Sequence, residues 1–527
     1  MKGTQKLITD RRAHSILVGI VSFACLFNFM LGFFRLGQHD FREDEFQVVD
    51  TAVNYVHNGE WYKWDWVQDQ SGKFTDCITQ DPRCHYTRAW PHTWLVAQSF
   101  RLFGISPWAA RLVSVLFGVL ATAVVFFVAR FFTHNRLIAV LSSFSFALSP
   151  ELLALFRLTR MYALLLPLFL LAAYFLYRGI TETQRVNTGS RRLNTFFERY
   201  LHVHYGYLGL GILCLFLATL LHVNALILLP VLFVYMIYLA LMYRHPTAIL
   251  SCVVGIIGIT LATYFIRYTD VLFSIEGFFA PLTLRHFIYL RFIAGYPFPV
   301  WLGTVALIGT MFGCWMIRRR QARDKMVYLS TLVAVALFFF IFVADRYTTF
   351  TYISHIVPFG LMLILYGMVV FPSLLLKSFP RAVRVWKIVV TVLVLSFCIA
   401  AVYSHRGVLY GEEYAYGRFS EAYQVIVEDY QPEQAVFAQY LRGIYVDGLP
   451  ANTHVVNMLK NKAYTEQQFF ADLHAYPSGW ITWETRKAYH LRQSIRLYIR
   501  QHFRHVHGVG VDNTHVEVYY FDQSMVK

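Results

Sequence analysis

Glu43, Asp44 and Glu45 stand as three consecutive carboxylates in the stretch Phe41-Arg42-Glu43-Asp44-Glu45-Phe46-Gln47, a few residues after an apolar run ends. Phe46, Val49, Val53 and Val56 then recur at helical spacing, with Asp50, Asn54 and His57 on other faces. That pattern predicts an amphipathic helix lying in a membrane interface. A carboxyl group between a span and such a helix is partly desolvated, which raises its pKa and suits it to accept a proton. The same acids also read as the solvated end of a span. Trp61, Tyr62, Trp64 and Trp66 follow and read as an interfacial aromatic belt or as a surface on which a sugar stacks.

Composition decides what must position these acids. The 527 residues are 57% hydrophobic, 17% aromatic and only 15% charged, whereas soluble domains carry about 25% charged residues. The chain is a polytopic membrane protein. Its net charge of +16 is gathered in short clusters between apolar runs, the pattern of the positive-inside rule and not of a nucleic-acid binder. Apolar runs at 16–34, 109–129, 137–149, 161–177, 206–221, 225–243, 248–266, 300–317, 327–344, 350–371 and 388–403 predict about eleven transmembrane helices. Threaded alternately, they gather Arg318, Arg319, Arg320, Arg323 and Lys325, and Lys377, Arg381, Arg384 and Lys387, on one side. The N-terminus is then cytoplasmic, and the acids and the C-terminal region lie on the outer face of the cell membrane.

Of seven cysteines, Cys25, Cys214, Cys252, Cys314 and Cys398 fall inside predicted spans. Cys77 and Cys84 lie in the long outer loop 35–107, where an oxidising compartment permits either a disulfide or two free thiols. His222 and Asn224 interrupt an apolar stretch and read as a bridge between helices. Beyond Tyr403 polar residues return. Strands are expected at 435–441, 454–459, 479–482 and 516–521, a helix starting at the capping box Thr465-Glu466-Gln467-Gln468, and another helix over 486–505. The expected organisation is a transmembrane domain, 1–404, including loop 35–107, and a small extracytoplasmic α/β domain, 405–527. Arg492, Arg496, Arg500 and Arg504 form a basic stripe if that last helix is continuous, while His502, His505 and His507 lack the carboxylate or cysteine that would complete a metal site.

Several fragments in order resemble one family. They are Asp44-Glu45 through Gly59-Glu60-Trp61; Arg88-Ala89-Trp90-Pro91-His92-Thr93-Trp94; Leu102-Phe103-Gly104; Ala110-Arg111-Leu112-Val113-Ser114 with Phe117-Gly118; Thr159-Arg160-Met161-Tyr162-Ala163; and Asp345-Arg346-Tyr347. Together they are similar to the GT-C superfamily of membrane glycosyltransferases, in the branch of the protein O-mannosyltransferases and aminoarabinose transferases. The chain departs from that branch at Thr159, where many relatives carry an acid for which Glu151 is the nearby substitute, and at Trp90-Pro91-His92 in place of Pro-Pro-Leu.

The resemblance implies inverting transfer of one sugar from a polyprenyl-phosphate donor to a hydroxyl of a glycan, lipid or protein acceptor on the outer face. Such a reaction needs a carboxylate to take the acceptor's proton. It implies Asp44 as that base, Glu45 beside it as a second catalytic acid, and Glu43 and Glu151 in support. Arg88, Arg160, Arg346 and His92 are the implied donor-phosphate ligands, with Arg157 a further candidate. A divalent ion, Mg²⁺ or Mn²⁺, at Asp44 and Glu45 is compatible with hard oxygen ligands. The rival expectation is a transporter or flippase of lipid-linked glycans, which calls for mid-membrane ionisable groups and an internal repeat; neither is evident.

Overall fold

The structure is a computed structural model that describes residues 2–59, 61, 89–182, 204–243, 288–295, 297–342, 349–410, 419–438, 445, 449–450, 453–458, 464–484, 491–509 and 516–526. The principal helices in chain order are α1 (Lys2–Phe33), α2 (Glu43–Asn58), α3 (Trp90–Phe103), α4 (Pro107–Thr133), α5 (Arg136–Ala147), α6 (Pro150–Phe156), α7 (Tyr162–Thr181), α8 (Tyr205–Leu221), α9 (Leu228–Tyr243), α10 (Ile288–Ala294), α11 (Val300–Gly313), α12 (Arg320–Phe342), α13 (Val357–Leu375), α14 (Pro380–Ser404), α15 (Phe419–Asp429), α16 (Glu466–His474) and α17 (Gln493–His502).

Among the described residues seven stretches are long and apolar enough to cross a membrane: Ser15–Phe33, Pro107–Thr133, Tyr162–Thr181, Val223–Tyr243, Arg320–Ile341, Val357–Leu375 and Pro380–Ser404. The predicted span 137–149 is the first arm of a bent pair, α5 and α6, which meet at 60°. Pro150 at the start of α6 cannot donate into the preceding helical ladder, so the chain breaks there. The expected spans 206–221 and 300–317 are shorter apolar helices, and 248–266 lies outside the described residues. Phe23, Leu26 and Met30 on α1, and Val392 and Ile399 on α14, are exposed; such continuous apolar faces require lipid to cover them.

By contacts the chain divides into two compact units, one of Met1–Phe34, Ser114–Arg157 and Met161–Arg406, the other of Arg35–Val113, Leu158–Arg160 and Gly407–Lys527. Small residues let helices of the first unit approach closely, as in other membrane bundles. A Cβ on Gly179 or on Gly211 would stand 2.8 Å from the backbone nitrogen of Leu208 or Leu176 respectively, so α7 and α8 touch backbone to backbone. Asn28 of α1 donates to the Ala147 carbonyl at the end of α5, at 3.1 Å.

The second unit contains a five-stranded sheet of β1 (Ala435–Ala438), β2 (His454–Asn457), β3 (Ser478–Glu484), β4 (Arg504–Val509) and β5 (Val516–Asp522), in the order β2-β1-β3-β5-β4. β1 runs parallel to β2 and β3, and β5 antiparallel to β3 and β4. Phe437, Ile481, Trp483 and Phe521 pack against Phe469 of α16 and Ile495 and Ile499 of α17. The Thr465 capping box is formed: Thr465 Oγ1 accepts from the Gln468 N–H at 3.2 Å, and Gln468 Oε1 accepts from the Thr465 N–H at 3.0 Å.

The expected helix 486–505 is corrected. It ends at His502, because Phe503 adopts an extended conformation (φ −106°, ψ 155°) and the chain continues as β4. The basic stripe ends with it: Arg500 pairs with Glu517 of β5 at 2.5 Å, and Arg504, now on a strand, lies over the Tyr520 ring. His502 stacks on Tyr498, and His505 packs on Tyr519.

Candidate active site

The first turn of α2 separates its neighbouring acids. Successive helix residues point about 100° apart, so Asp44 is exposed while Glu45 is completely buried. Glu45 accepts four hydrogen bonds. Arg111 donates from Nε to Oε1 at 3.0 Å and from Nη2 to Oε2 at 2.8 Å. The Thr159 N–H reaches Oε1 at 2.7 Å, and the Arg42 N–H, preceding α2, reaches Oε2 at 2.8 Å.

Arg111 in turn uses all five of its donors: besides Glu45 it holds the carbonyls of Leu36 (3.1 Å), His39 (2.8 Å) and Asp40 (2.8 Å). Burial alone would raise the Glu45 pKa, but the Arg111 charge and hydrogen bonds, with the Arg42 and Thr159 N–H groups, hold it down to about 2. Glu45 is therefore held charged near neutral pH, as the counter-ion of Arg111. With two hydrogen bonds on each oxygen, the Glu45 carboxylate in this arrangement has no lone pair left for a further proton or a cation. Asp44 and Glu45 together do not fit a metal ion. Among the described residues no group of three or more His, Cys, Asp or Glu side chains is placed to hold one.

Asp44 differs in every respect. Among the described residues no group is hydrogen-bonded to its carboxylate, and its backbone carbonyl receives Arg160 Nη1 at 2.7 Å. The segment Leu158–Arg160 thus serves both acids, with the Thr159 backbone on Glu45 and the Arg160 guanidinium at Asp44. A neutral residue at position 159 agrees with this packing, because an acid there would adjoin a buried carboxylate already charged.

His92 lies on the buried face of α3. Burial first, and then the Arg160 charge, push its pKa down to about 3. It is held as a neutral imidazole, so any bond it makes to a phosphate is that of a neutral N–H donor. Arg157 closes the end of α1, donating from Nη1 to the carbonyls of Leu31 (3.1 Å), Gly32 (3.1 Å) and Phe34 (2.5 Å). Those are the orphan acceptors of a helix C-terminus, which a cation satisfies. Glu151 sits in the first turn of α6, in the first compact unit, with Ser149 Oγ 3.5 Å from its carboxylate. Arg88, Arg346, Cys77, Cys84 and the Glu43 side chain lie outside the described residues.

Asn224 bridges helices of the first unit, its Nδ2 donating to the Tyr352 carbonyl at 3.2 Å, while His222 caps the turn that carries Asn224, its Nδ1 accepting from the Asn224 N–H at 3.1 Å.

Arg111 and the Thr159 backbone are the site residues that sequence reasoning missed. Arg111 had a signal, since an arginine at the entry of an apolar span requires a partner, and Glu45, three residues beyond Arg42, is spaced as a capping acid.

Residues 88–264 match the family of dolichyl-phosphate-mannose-protein mannosyltransferases. No curated protein sequence matches the chain. Among solved structures, ArnT from Cupriavidus metallidurans in its apo state is similar over 98% of this chain and 99% of its own, at 15% identity and a TM-score of 0.59. The same protein bound to undecaprenyl phosphate gives 15% identity, the same coverage and a TM-score of 0.55. The archaeal oligosaccharyltransferase AglB from Archaeoglobus fulgidus, in complex with an inhibitory peptide and a dolichol-phosphate, gives 12% identity and a TM-score of 0.54 over 96% of this chain and 74% of that one. With its spans, its C-terminal sheet and these likenesses, the chain is a multi-span membrane protein with the fold of the GT-C glycosyltransferase superfamily.

Proposed function

We propose that the protein transfers a single sugar from a polyprenyl-phosphate donor to an acceptor hydroxyl on the outer face of the cell membrane, inverting the anomeric carbon, with Asp44 as general base. The observation that carries this reading is the division of labour in the first turn of α2. Glu45 is consumed by Arg111 and holds the turn rigid, while Asp44 is left exposed beside Arg160. A likeness to one protein solved with undecaprenyl phosphate and to another solved with a dolichol-phosphate supports a lipid-phosphate donor.

The Asp44 carboxylate takes the acceptor hydroxyl proton as that oxygen attacks the anomeric carbon. The bond from carbon to phosphate oxygen breaks on the opposite face, and the lipid phosphate departs with the electron pair. Arg160 supplies positive charge where negative charge grows on the phosphate, with Arg88 and Arg346 proposed to join it. The acceptor is a glycan, a lipid or a protein.

The test is transfer of radiolabelled sugar from a panel of polyprenyl-phosphate donors by the purified protein, with a membrane extract as acceptor source and Asp44→Asn alongside. Removing a general base costs about 10²- to 10⁴-fold in rate, so the wild type is expected to transfer and the folded variant to fall by that factor. A variant as fast as the wild type removes Asp44 from the role; a folded wild type that moves no sugar from any donor sinks the reading.

A further inference from the structure

The segment bearing Asp44 is gripped from two directions. Arg111 holds its carbonyls at Leu36, His39 and Asp40 and the carboxylate of Glu45. The second grip comes from the C-terminal region of the same compact unit. Asp40 Oδ2 accepts from the Ser420 N–H at 2.8 Å, and both Asp40 oxygens lie 2.9 Å from the Ser420 hydroxyl that donates to them. Ser420 is in the first turn of α15, so Asp40 caps that helix from 380 residues away in the chain, satisfying one of its orphan N–H groups and meeting the positive end of its dipole.

One residue further on, the Phe41 N–H donates to the Tyr445 hydroxyl at 3.0 Å. The Tyr445 ring meets Phe46 edge-on at 5.9 Å and stacks with Phe419 and Tyr423. Phe46 also meets Phe41 and Phe419 edge-on, and Phe41 and Phe46 are fully buried. Asp40 is the joint between the two grips, with its carbonyl on Arg111 and its carboxylate on Ser420. Asp44 lies between Phe41 and Phe46 and, among the described residues, has no comparable tether on its own carboxylate. Its direction is therefore set by the residues on either side.

We infer that Ser420 and Tyr445 are positioning residues for Asp44, so that the region after residue 407 forms part of the frame of the transfer site. This rests on the reading of Asp44 as the base. A displacement of about 1 Å of a reacting group costs about 10²-fold in rate, which makes even a small loosening of the 40–46 segment measurable.

The experiment uses the full-length protein carrying Ser420→Ala, Tyr445→Phe or Asp40→Ala, with Ser420→Thr as the conservative control that keeps the hydroxyl. Two quantities are read: kcat and donor KM for sugar transfer, and hydrogen exchange along the chain by mass spectrometry. Expected are a kcat lower by about tenfold or more with donor KM within about twofold, faster exchange limited to residues 40–50 and the first turn of α15, unchanged exchange in α7 and α13, and recovery in Ser420→Thr. Unchanged kcat in an active protein, or unchanged exchange at 40–50, overturns the inference, as does exchange accelerated equally in α7 and α13, the mark of general destabilisation. If the wild type transfers no sugar, the reading of the reaction falls by itself. Exchange then decides the grip alone: faster at 40–50 upholds it, unchanged overturns it.

Discussion

At the scale of single residues, two adjacent acids with nearly the same chemistry are given opposite tasks by one helical step. Glu45 is buried with its charge matched by Arg111 and by two N–H groups, so removing either partner leaves the other charged and desolvated. Glu45→Gln is expected to lower thermal stability in detergent by about 3–5 kcal/mol, the cost of breaking a buried pair, whereas Asp44→Asn leaves stability nearly unchanged; calorimetry on both variants checks the contrast. The pH dependence has a definite sign. The folded-state pKa of Glu45, about 2, lies below its ordinary 4.5, so the unfolded chain binds the extra proton first. Its stabilising contribution is complete above about pH 4.5 and is lost as the pH falls toward 2. Acid unfolding followed by near-ultraviolet circular dichroism should therefore show a loss of stability in that window that is absent from Glu45→Gln. The acid cluster itself was legible in the sequence as three consecutive carboxylates after a span. The assignment within it was not, because the face on which each acid falls depends on where α2 begins and on a partner, Arg111, 66 residues away.

Elements were more legible than contacts. Hydropathy marks the spans because lipid demands long apolar helices, and the strands at 454–457 and 516–522 were visible as short runs rich in β-branched and aromatic residues. The helix predicted over 486–505 was too long because arginines spaced four apart mimic a helical face, while the competing strand residues Val506 and Val509 are few and the partner that selects the strand, β5, comes later in the chain. Glycine spacing likewise conceals its meaning until the helices are packed. Gly211 of α8 has no room for a side chain against Leu176, while Gly209, on the same helix, has open space around its Cβ position. Gly211→Leu is expected to force α7 and α8 apart and lower the melting temperature through an overpacking cost of about 1–3 kcal/mol or more. Gly209→Leu is the matched control and should melt with the wild type; equal melting of the two variants would remove the close-packing role.

At the scale of the molecule, the first compact unit sorts its polar groups between two ends. At one end Lys325, at the start of α12, donates to the Phe131 carbonyl at 2.9 Å and contacts His134 Nε2 at 2.9 Å, both at the close of α4. Arg178, near the end of α7, pairs with Glu182 and lies over the Phe131 ring. At the other end the start of α7, the end of α8 and the approach to α13 meet through Tyr162, His222 and Tyr352. The first set belongs to the loops that the charge bias assigns to the cytoplasm, and the second to loops assigned outside. Packing within the unit and the distribution of arginine and lysine thus favour one threading of the chain. The orientation follows as a testable proposal. In a background without native cysteines, a membrane-impermeant maleimide applied to intact cells stripped of their wall should label Thr349→Cys at once and Arg319→Cys only after permeabilisation; both positions are exposed in the unit. The reverse order would turn the bundle over and place Asp44, by the same threading, on the cytoplasmic face, where the proposed transfer would have to take its donor and acceptor from the other side of the membrane.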